Sequence, residues 1–413
     1  MSAELLHVKV KNVDIPVIYE KETTLPIVSM QVVFQKSGSI EDGKLPGLAK
    51  LTAKMLAQGT KTFGNVGFAK KLEDRAIRFG VHTGTETMVI ELSSLKEQFG
   101  YGLDLVQKIF IDPNFTEATL QKVKTTTIGA LQRKQDDYDY VASVGLKKLL
   151  FAGTPLQNPS DGTIESIQKI KLDDIKAFTA KHLVLARAIV VIGGDINKDA
   201  ALEQVRKFLE PLAVGQNEKL PFYEASDAQK ELITHKEQTK QAYIYFGAPY
   251  HEKIDSPDLY ISRVAMYILG AGGFGSRLME EIRVKRGLAY SAYCLGRINK
   301  SNAYFTGYLQ TKIESQDEAK KLVKKVIEDF VAEGATAEEL ESAKKFLLGS
   351  EPLRNETLAQ RLTRAFSEYY AGKPLGSYKK DLENIEKLTL DTLNAYIKSH
   401  PEITKLSFSI VTK

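Results

Sequence analysis

The side chains best placed to do chemistry are Arg283 and Tyr290, seven positions apart with Gly287-Leu288-Ala289 between them. A guanidinium offers a planar fork of donors and a phenol adds one more. The elements that must position them follow from the pattern. Leu278, Ile282 and Val284 lie among charges at near-helical spacing, which predicts a short amphipathic helix over 276–285. Gly287 suits the left-handed residue that closes a helix. Leu288, Tyr290, Ala292 and Cys294 then alternate as in a strand. The unit is helix, glycine turn, strand. A purely structural assignment competes with this one: Arg283 capping its own helix and Tyr290 packed in a sheet.

Other chemistries find little support. The six histidines, His7, His82, His182, His235, His251 and His400, are scattered, with no two within four positions. Cys294 is the only cysteine, which excludes an internal disulfide and a cysteine-cluster metal site. Its apolar strand makes it an inert buried thiol. No Gly-x-Ser-x-Gly elbow exists. Gly270-Ala-Gly272-Gly273-Phe-Gly275 fits Gly-x-Gly-x-x-Gly, but dinucleotide binding needs a preceding strand, and 260–269 reads as helix. The formal net charge of +5 over 413 residues, with no Lys/Arg run interleaved with aromatics, predicts neither nucleic-acid nor membrane binding. No apolar stretch approaches the roughly 18 residues of a membrane span. Residues 1–11 lack the apolar core of a signal peptide, which favours the cytoplasm, or the periplasm if a leader has been removed.

The length predicts two or more domains. Residues 213–229 mix Pro, Gly, Asn and charge without periodicity and read as a linker between 1–212 and 230–413. The halves are copies. Glu165-Ser-Ile-Gln-Lys-Ile-Lys-Leu-Asp173 recurs 218 positions later as Glu383-Asn-Ile-Glu-Lys-Leu-Thr-Leu-Asp391, and an apolar strand follows in both, at 188–192 and 406–410. Each half reads as an α+β layer, a mixed, mostly antiparallel sheet with helices packed on one face.

The run Arg283-x-x-x-Gly287-Leu288-Ala289-Tyr290, together with the duplication and the length, resembles the second domain of the M16 (pitrilysin/insulinase) zinc peptidase family, and the resemblance covers essentially the whole chain. It implies two tandem domains of the LuxS/MPP-like metallohydrolase fold. It also implies a zinc site on a first-domain helix, where two histidines at i and i+4 hold the ion and a Glu between them is general base. The surrounding context survives as Gly47-Leu48-Ala49 and Met55-Leu56-Ala57-Gln58-Gly59-Thr60. The ligand positions do not: Lys50 and Lys54 replace the histidines, Ala53 replaces the general base, and the third ligand, a Glu on a later helix, falls near Ala130. Two ammonium groups repel a dication, and a methyl group accepts no proton. The expectation is a chain without zinc of its own.

In heterodimeric members of this family a zinc-free subunit lends an Arg and a Tyr from its second domain to its partner. The resemblance therefore implies that Arg283 and Tyr290 serve substrate binding and transition-state stabilisation at a partner's zinc site, acting on unfolded peptides. It also implies that the glycine loop around Gly272 and Gly273 helps to recognise substrate. Two alternatives remain: a structural or scaffold subunit, and a homodimer that binds peptides without cutting them, with Lys50 and Lys54 favouring acidic segments.

Overall fold

The computed structural model describes residues 3–413. β1 (Glu4–Val10) and β2 (Val13–Lys21) pair antiparallel through a two-residue turn. Lys11 and Asn12 both take positive φ there, as a tight hairpin turn requires. β3 (Ile27–Gln35), β4 (Arg78–Thr83), β5 (Thr87–Leu95) and β6 (Ala188–Gly194) complete a six-stranded sheet of order β1-β2-β6-β3-β5-β4. Only β2 and β6 run parallel. Helices α1 (Leu48–Leu56), α2 (Gly64–Glu73), α3 (Lys96–Ile111) and α4 (Glu117–Lys134) precede α5 (Tyr138–Leu150). After these come α6 (Ile164–Lys169), α7 (Leu172–His182) and α8 (Lys198–Leu209). Capping fixes several starts, as where Thr163 and Ser166 satisfy one another's backbone at the head of α6.

β7 (Glu231–His235), β8 (Gln241–Pro249), β9 (Ala289–Ile298), β10 (Ala303–Lys312) and β11 (Ser407–Thr412) form a second sheet, of order β7-β11-β8-β10-β9. Its helices are α9 (Leu259–Met266), α10 (Arg277–Met279), α11 (Gln316–Glu333) and α12 (Ala337–Gly349), then α13 (Leu358–Tyr370), α14 (Tyr378–Lys387) and α15 (Leu390–Lys398). The duplication is visible in the connectivity. β6 is parallel to β2 and antiparallel to β3, and β11 is parallel to β7 and antiparallel to β8. The repeated nonapeptides fall on α6–α7 and on α14–α15, each leading into that central strand.

The first unit comprises residues up to Gln132, then Pro159–Leu220 and Arg354–Gly376. The second comprises Arg133–Asn158, Pro221–Leu353 and Ser377–Lys413. The break at Leu220/Pro221 lies inside the expected linker, but each unit also takes one helix from the other half of the sequence. In the first unit, one sheet face packs on α1, α3, α4, α7 and α8 around Val32, Phe34, Ile90 and Val190. Its other face, Ile18, Val33, Ile189 and Val191, is covered by Leu362, Ala365 and Tyr370 of α13. In the second unit, Phe246, Phe305 and Phe408 build the core with α9, α11 and α15. Burial of each such ring is worth roughly 2–3 kcal/mol. The opposite face receives α5, where Gly145 lets the helix settle against Ser409, and a Cβ at 145 would stand 2.2 Å from its Oγ.

The helix expected over 276–285 is broken in kind. Only α10 is α-helical, and 280–284 widens into a π turn with Lys285 N–H donating to Glu280 at 3.0 Å. Leu278 and Ile282 are buried, while Val284, two positions beyond Ile282 and so on the other side of the helix, is 54% exposed. β7 is an element that the sequence pattern did not reveal, since it is a short edge strand whose residues are at most half-buried.

Candidate functional site

Two places in the fold carry the residues singled out from sequence, and both lie in the same connection of the duplicated topology. One is between β3 and β4, the other between β8 and β9.

In the first, Gly47 adopts φ 91 and begins α1. Asp42 fixes that end: its carboxylate accepts the N–H groups of Gly47 and Ala49, both at 2.7 Å. Burial nonetheless pushes Asp42 up to about 7. Lys50 and Lys54 lie one turn apart on α1, half-buried, with Ala53 fully buried between them. Neither ammonium is idle. Lys50 pairs with Asp161, and Lys54 donates to Thr127 Oγ1 of α4 at 2.9 Å. Ala130 lies one turn further along α4 from Thr127. The helices that would build a metal site are thus present and adjacent, while the four positions offer two ammonium groups and two methyls. That donor set does not fit zinc. Among the described residues no group of three or more His, Cys, Asp or Glu could hold a metal ion. Asp161 and Thr127, absent from the sequence reading, close the face of α1 that Lys50 and Lys54 were expected to open toward acidic ligands.

In the second place, α9 runs into a π turn at Tyr267–Ala271, ending where Gly272 N–H donates to Tyr267 at 3.0 Å. Gly272 has no room for a Cβ, which would meet Tyr267 O at 2.8 Å. Gly273 and Gly275 take φ 64 and 95, a conformation that L side chains rarely adopt. They bracket Phe274, which projects into solvent at 68% exposure. A helical segment, not a strand, precedes this loop, so the Gly-x-Gly-x-x-Gly match has no βαβ context. Ser276 Oγ closes the loop onto Gly273 O at 2.7 Å. Gly287, at φ 61, ends the following turn as expected, its N–H on Arg283 O at 2.9 Å.

The strand β9 begins with a bulge, since Ala292 faces Leu309 while Ala289 faces Thr311. Both alanines point into the core, and Tyr290 is thrown outward to 81% exposure. Its ring does not pack in the sheet. It meets Arg283, whose guanidinium carbon is 4.5 Å from the Tyr290 centroid and 4.6 Å from that of Phe274. The expected pair is therefore a trio, and Phe274 is the member that sequence reasoning missed. Its only signal was a lone aromatic between two glycines. Nearby charges are otherwise occupied: Glu281 binds Lys285 and Arg286, both at 2.6 Å, and Arg277 forks onto Glu339. Cys294, on the inward face of the same strand, is fully buried, and burial raises its thiol well above the ordinary range.

Residues 16–164 match the model for the insulinase (M16) peptidase family, and residues 169–347 match the one described as the peptidase M16 inactive domain. A Helicobacter pylori protein called non-peptidase homolog YmxG is 45% identical over 411 residues, covering 100% of this chain and 95% of the relative. The chain belongs to the M16 peptidase family. A Bacillus subtilis M16 relative named uncharacterized zinc protease YmxG is 23% identical over 348 residues, 84% of each chain. A solved peptidase M16 inactive domain from Pseudomonas fluorescens superposes with a TM-score of 0.91 at 25% identity, covering 99% of this chain and 98% of that one. A chain of complex III2 from Candida albicans shares the fold, with a TM-score of 0.80 at 16% identity, 99% of this chain and 95% of that one. The M16 fold expected from sequence, two tandem α+β domains, is what the chain adopts. No helix among the described residues is long and apolar enough to cross a membrane.

Proposed function

We propose that this chain is a non-catalytic M16 subunit that pairs with a zinc-bearing M16 subunit to form a metalloendopeptidase for unfolded peptides. Its own first-domain helix cannot supply the metal chemistry, because Lys50, Ala53, Lys54 and Ala130 offer no donor to a dication. What it contributes is the Arg283 and Tyr290 pair. The observation that carries the reading is the state of Arg283: its guanidinium stands beside two exposed rings without a hydrogen-bond or ion-pair partner among the described residues. An arginine that merely capped its own helix would be spent on carbonyls or a carboxylate. This one keeps its donors for a ligand. Against a peptide, Arg283 and the Tyr290 hydroxyl would bind the carbonyl and oppose the charge that grows on its oxygen during hydrolysis at the partner's centre. The Helicobacter pylori relative's designation as a non-peptidase homolog supports the part of this reading that concerns the chain alone.

The test mixes this chain with a zinc-bearing M16 chain and follows cleavage of an unstructured fluorogenic peptide. Cleavage should need both chains and should fall when Arg283→Ala or Tyr290→Phe is introduced here. Full activity of both variants in the complex refutes the contributed-residue role, and chelator-sensitive cleavage by this chain alone refutes its inactivity. The fold shared with a complex III2 chain favours a second reading, a scaffold or peptide-binding homodimer without a proteolytic role. That reading predicts a stable assembly in which no cleavage appears.

A further inference from the structure

We propose that Phe274 is a positioning residue: its ring, presented on the loop that follows α9, aims the Arg283 guanidinium at the carbonyl it is to bind. The inference rests on the role given to Arg283 above and adds what steers that side chain. Three observations carry it. Arg283 has no hydrogen-bond or ion-pair partner among the described residues, so no polar contact fixes its long side chain. What stands beside its guanidinium carbon are two ring centroids, that of Tyr290 at 4.5 Å and that of Phe274 at 4.6 Å. Phe274 in turn is 68% exposed and has Arg283 as its only ring partner among the described residues. A phenylalanine so placed adds little to a core, and contact with the cation is what its position provides.

The loop is anchored at both ends. At its entrance Tyr267 stacks on Phe346 of α12 with centroids 5.0 Å apart, and Gly272 N–H donates to the Tyr267 carbonyl at 3.0 Å. At its exit Ser276, 2% exposed, donates to the Gly273 carbonyl from its N–H at 3.0 Å and from its hydroxyl at 2.7 Å. Between these anchors Gly273 and Gly275, at φ 64 and 95, bracket Phe274. A fixed backbone on either side sets where the ring stands, and the ring narrows the arc that the arginine can sweep. The Tyr290 ring restrains it from β9, while the Tyr290 hydroxyl remains a donor in its own right. A cation restrained before the peptide arrives loses less entropy when it is used. Phe274 therefore acts only through Arg283. Its effect belongs to whichever of kcat and KM Arg283 governs, and it vanishes when Arg283 is absent.

The test is a double-variant cycle in the two-chain cleavage assay, with the zinc-bearing chain saturating. Phe274→Ala should lower kcat/KM about two- to fivefold, the scale of an exposed cation–ring contact. The loss should fall in the same constant, kcat or KM, that Arg283→Ala changes. Phe274→Tyr should restore activity, and Phe274→Leu should not, since leucine keeps apolar bulk but has no ring face. Adding Phe274→Ala to Arg283→Ala should cost nothing further, because nothing is left to position. A second readout needs no partner. In the full-length chain labelled at arginine, the Arg283 Nε–Hε resonance, assigned by its loss in Arg283→Lys, should be displaced by ring currents and should shift in Phe274→Ala. Equal losses with and without Arg283 overturn the proposal, since Phe274 would then touch substrate or partner directly. Rescue by leucine overturns it, as does a resonance that Phe274→Ala leaves unmoved. Cleavage that falls with Arg283→Ala but is indifferent to Phe274→Ala overturns this inference and leaves the earlier reading standing. Cleavage that is absent, or indifferent to both variants, overturns the two together.

Discussion

Arg361→Met is expected to destabilise the first unit by about 3–5 kcal/mol, the cost of breaking a buried ion pair by removing one partner. Glu20 lies on β2 beneath α13 and is 2% exposed. Its Oε1 accepts from Arg361 Nε at 2.6 Å, and its Oε2 is enclosed with no partner. The same guanidinium reaches Glu22 at 3.2 Å and the carbonyls of Asn355 and Glu356 at 3.3 and 3.1 Å. Glu22 is open to solvent on one side and is left out of the sum. Truncation would leave a carboxylate buried without a counter-charge and two carbonyls without their donor. Replacing Glu20 as well, as Glu20→Met with Arg361→Met, removes the stranded charge and should recover most of the loss. The assay is urea unfolding at neutral pH, followed by probes in each unit because the chain need not unfold in one step. A loss below about 1 kcal/mol for Arg361→Met, typical of a solvated surface pair, would refute the reasoning. So would a double variant no more stable than the single one.

Further outcomes follow from the same structure. His182 is buried against Phe178, with its Nδ1 2.8 Å from the Lys36 carbonyl and the Arg187 guanidinium close by, so burial and that neighbouring cation disfavour a charged ring. Burial lowers its pKa from 6.5 to about 4, and stability should therefore be full above pH 6.5 and fall by up to about 3 kcal/mol as pH drops toward 4. His182→Gln should flatten that part of a stability–pH profile. Gly145→Ala should cost about 1–3 kcal/mol by overpacking α5 on β11, with partial relief from Ser409→Ala, read as the urea midpoint of the second unit. Lys50→His, Ala53→Glu and Lys54→His should confer little zinc stabilisation until Ala130→Glu is added. The fourfold variant should then gain about 2.7 kcal/mol at a zinc concentration a hundred times its Kd, reversed by chelator.

Much of the fold could be read from local pattern. The β1–β2 turn, the closing Gly287 and the repeated helices before β6 and β11 are each set by residues close in sequence, and periodicity reports them. The helix exchange was not legible. α5 and α13 show amphipathic faces, but a face does not say which sheet it will cover, and each covers one built from the other half of the chain. The π turns escaped because one extra residue in a turn alters the rotation of side chains without altering composition, and Val284 does not share the face of Leu278 and Ile282 even in a regular helix. At the candidate sites Arg283, Tyr290, Lys50, Ala53 and Lys54 stand out through the resemblance of their surrounding motifs to the M16 family. Their neighbours Phe274, Asp161 and Thr127 do not, since contacts between distant segments leave no local signature.

The exchanged helices also bear on synthesis. The first six strands have left the ribosome once Gly194 emerges, yet Leu362, Ala365 and Tyr370, which cover Ile18, Val33, Ile189 and Val191, are still unmade. At about 5–20 residues per second the nascent sheet waits roughly ten to thirty seconds with an oily side bare. Cutting the gene at the linker would make that wait permanent, so the two halves should be insoluble when expressed apart and recoverable when produced together.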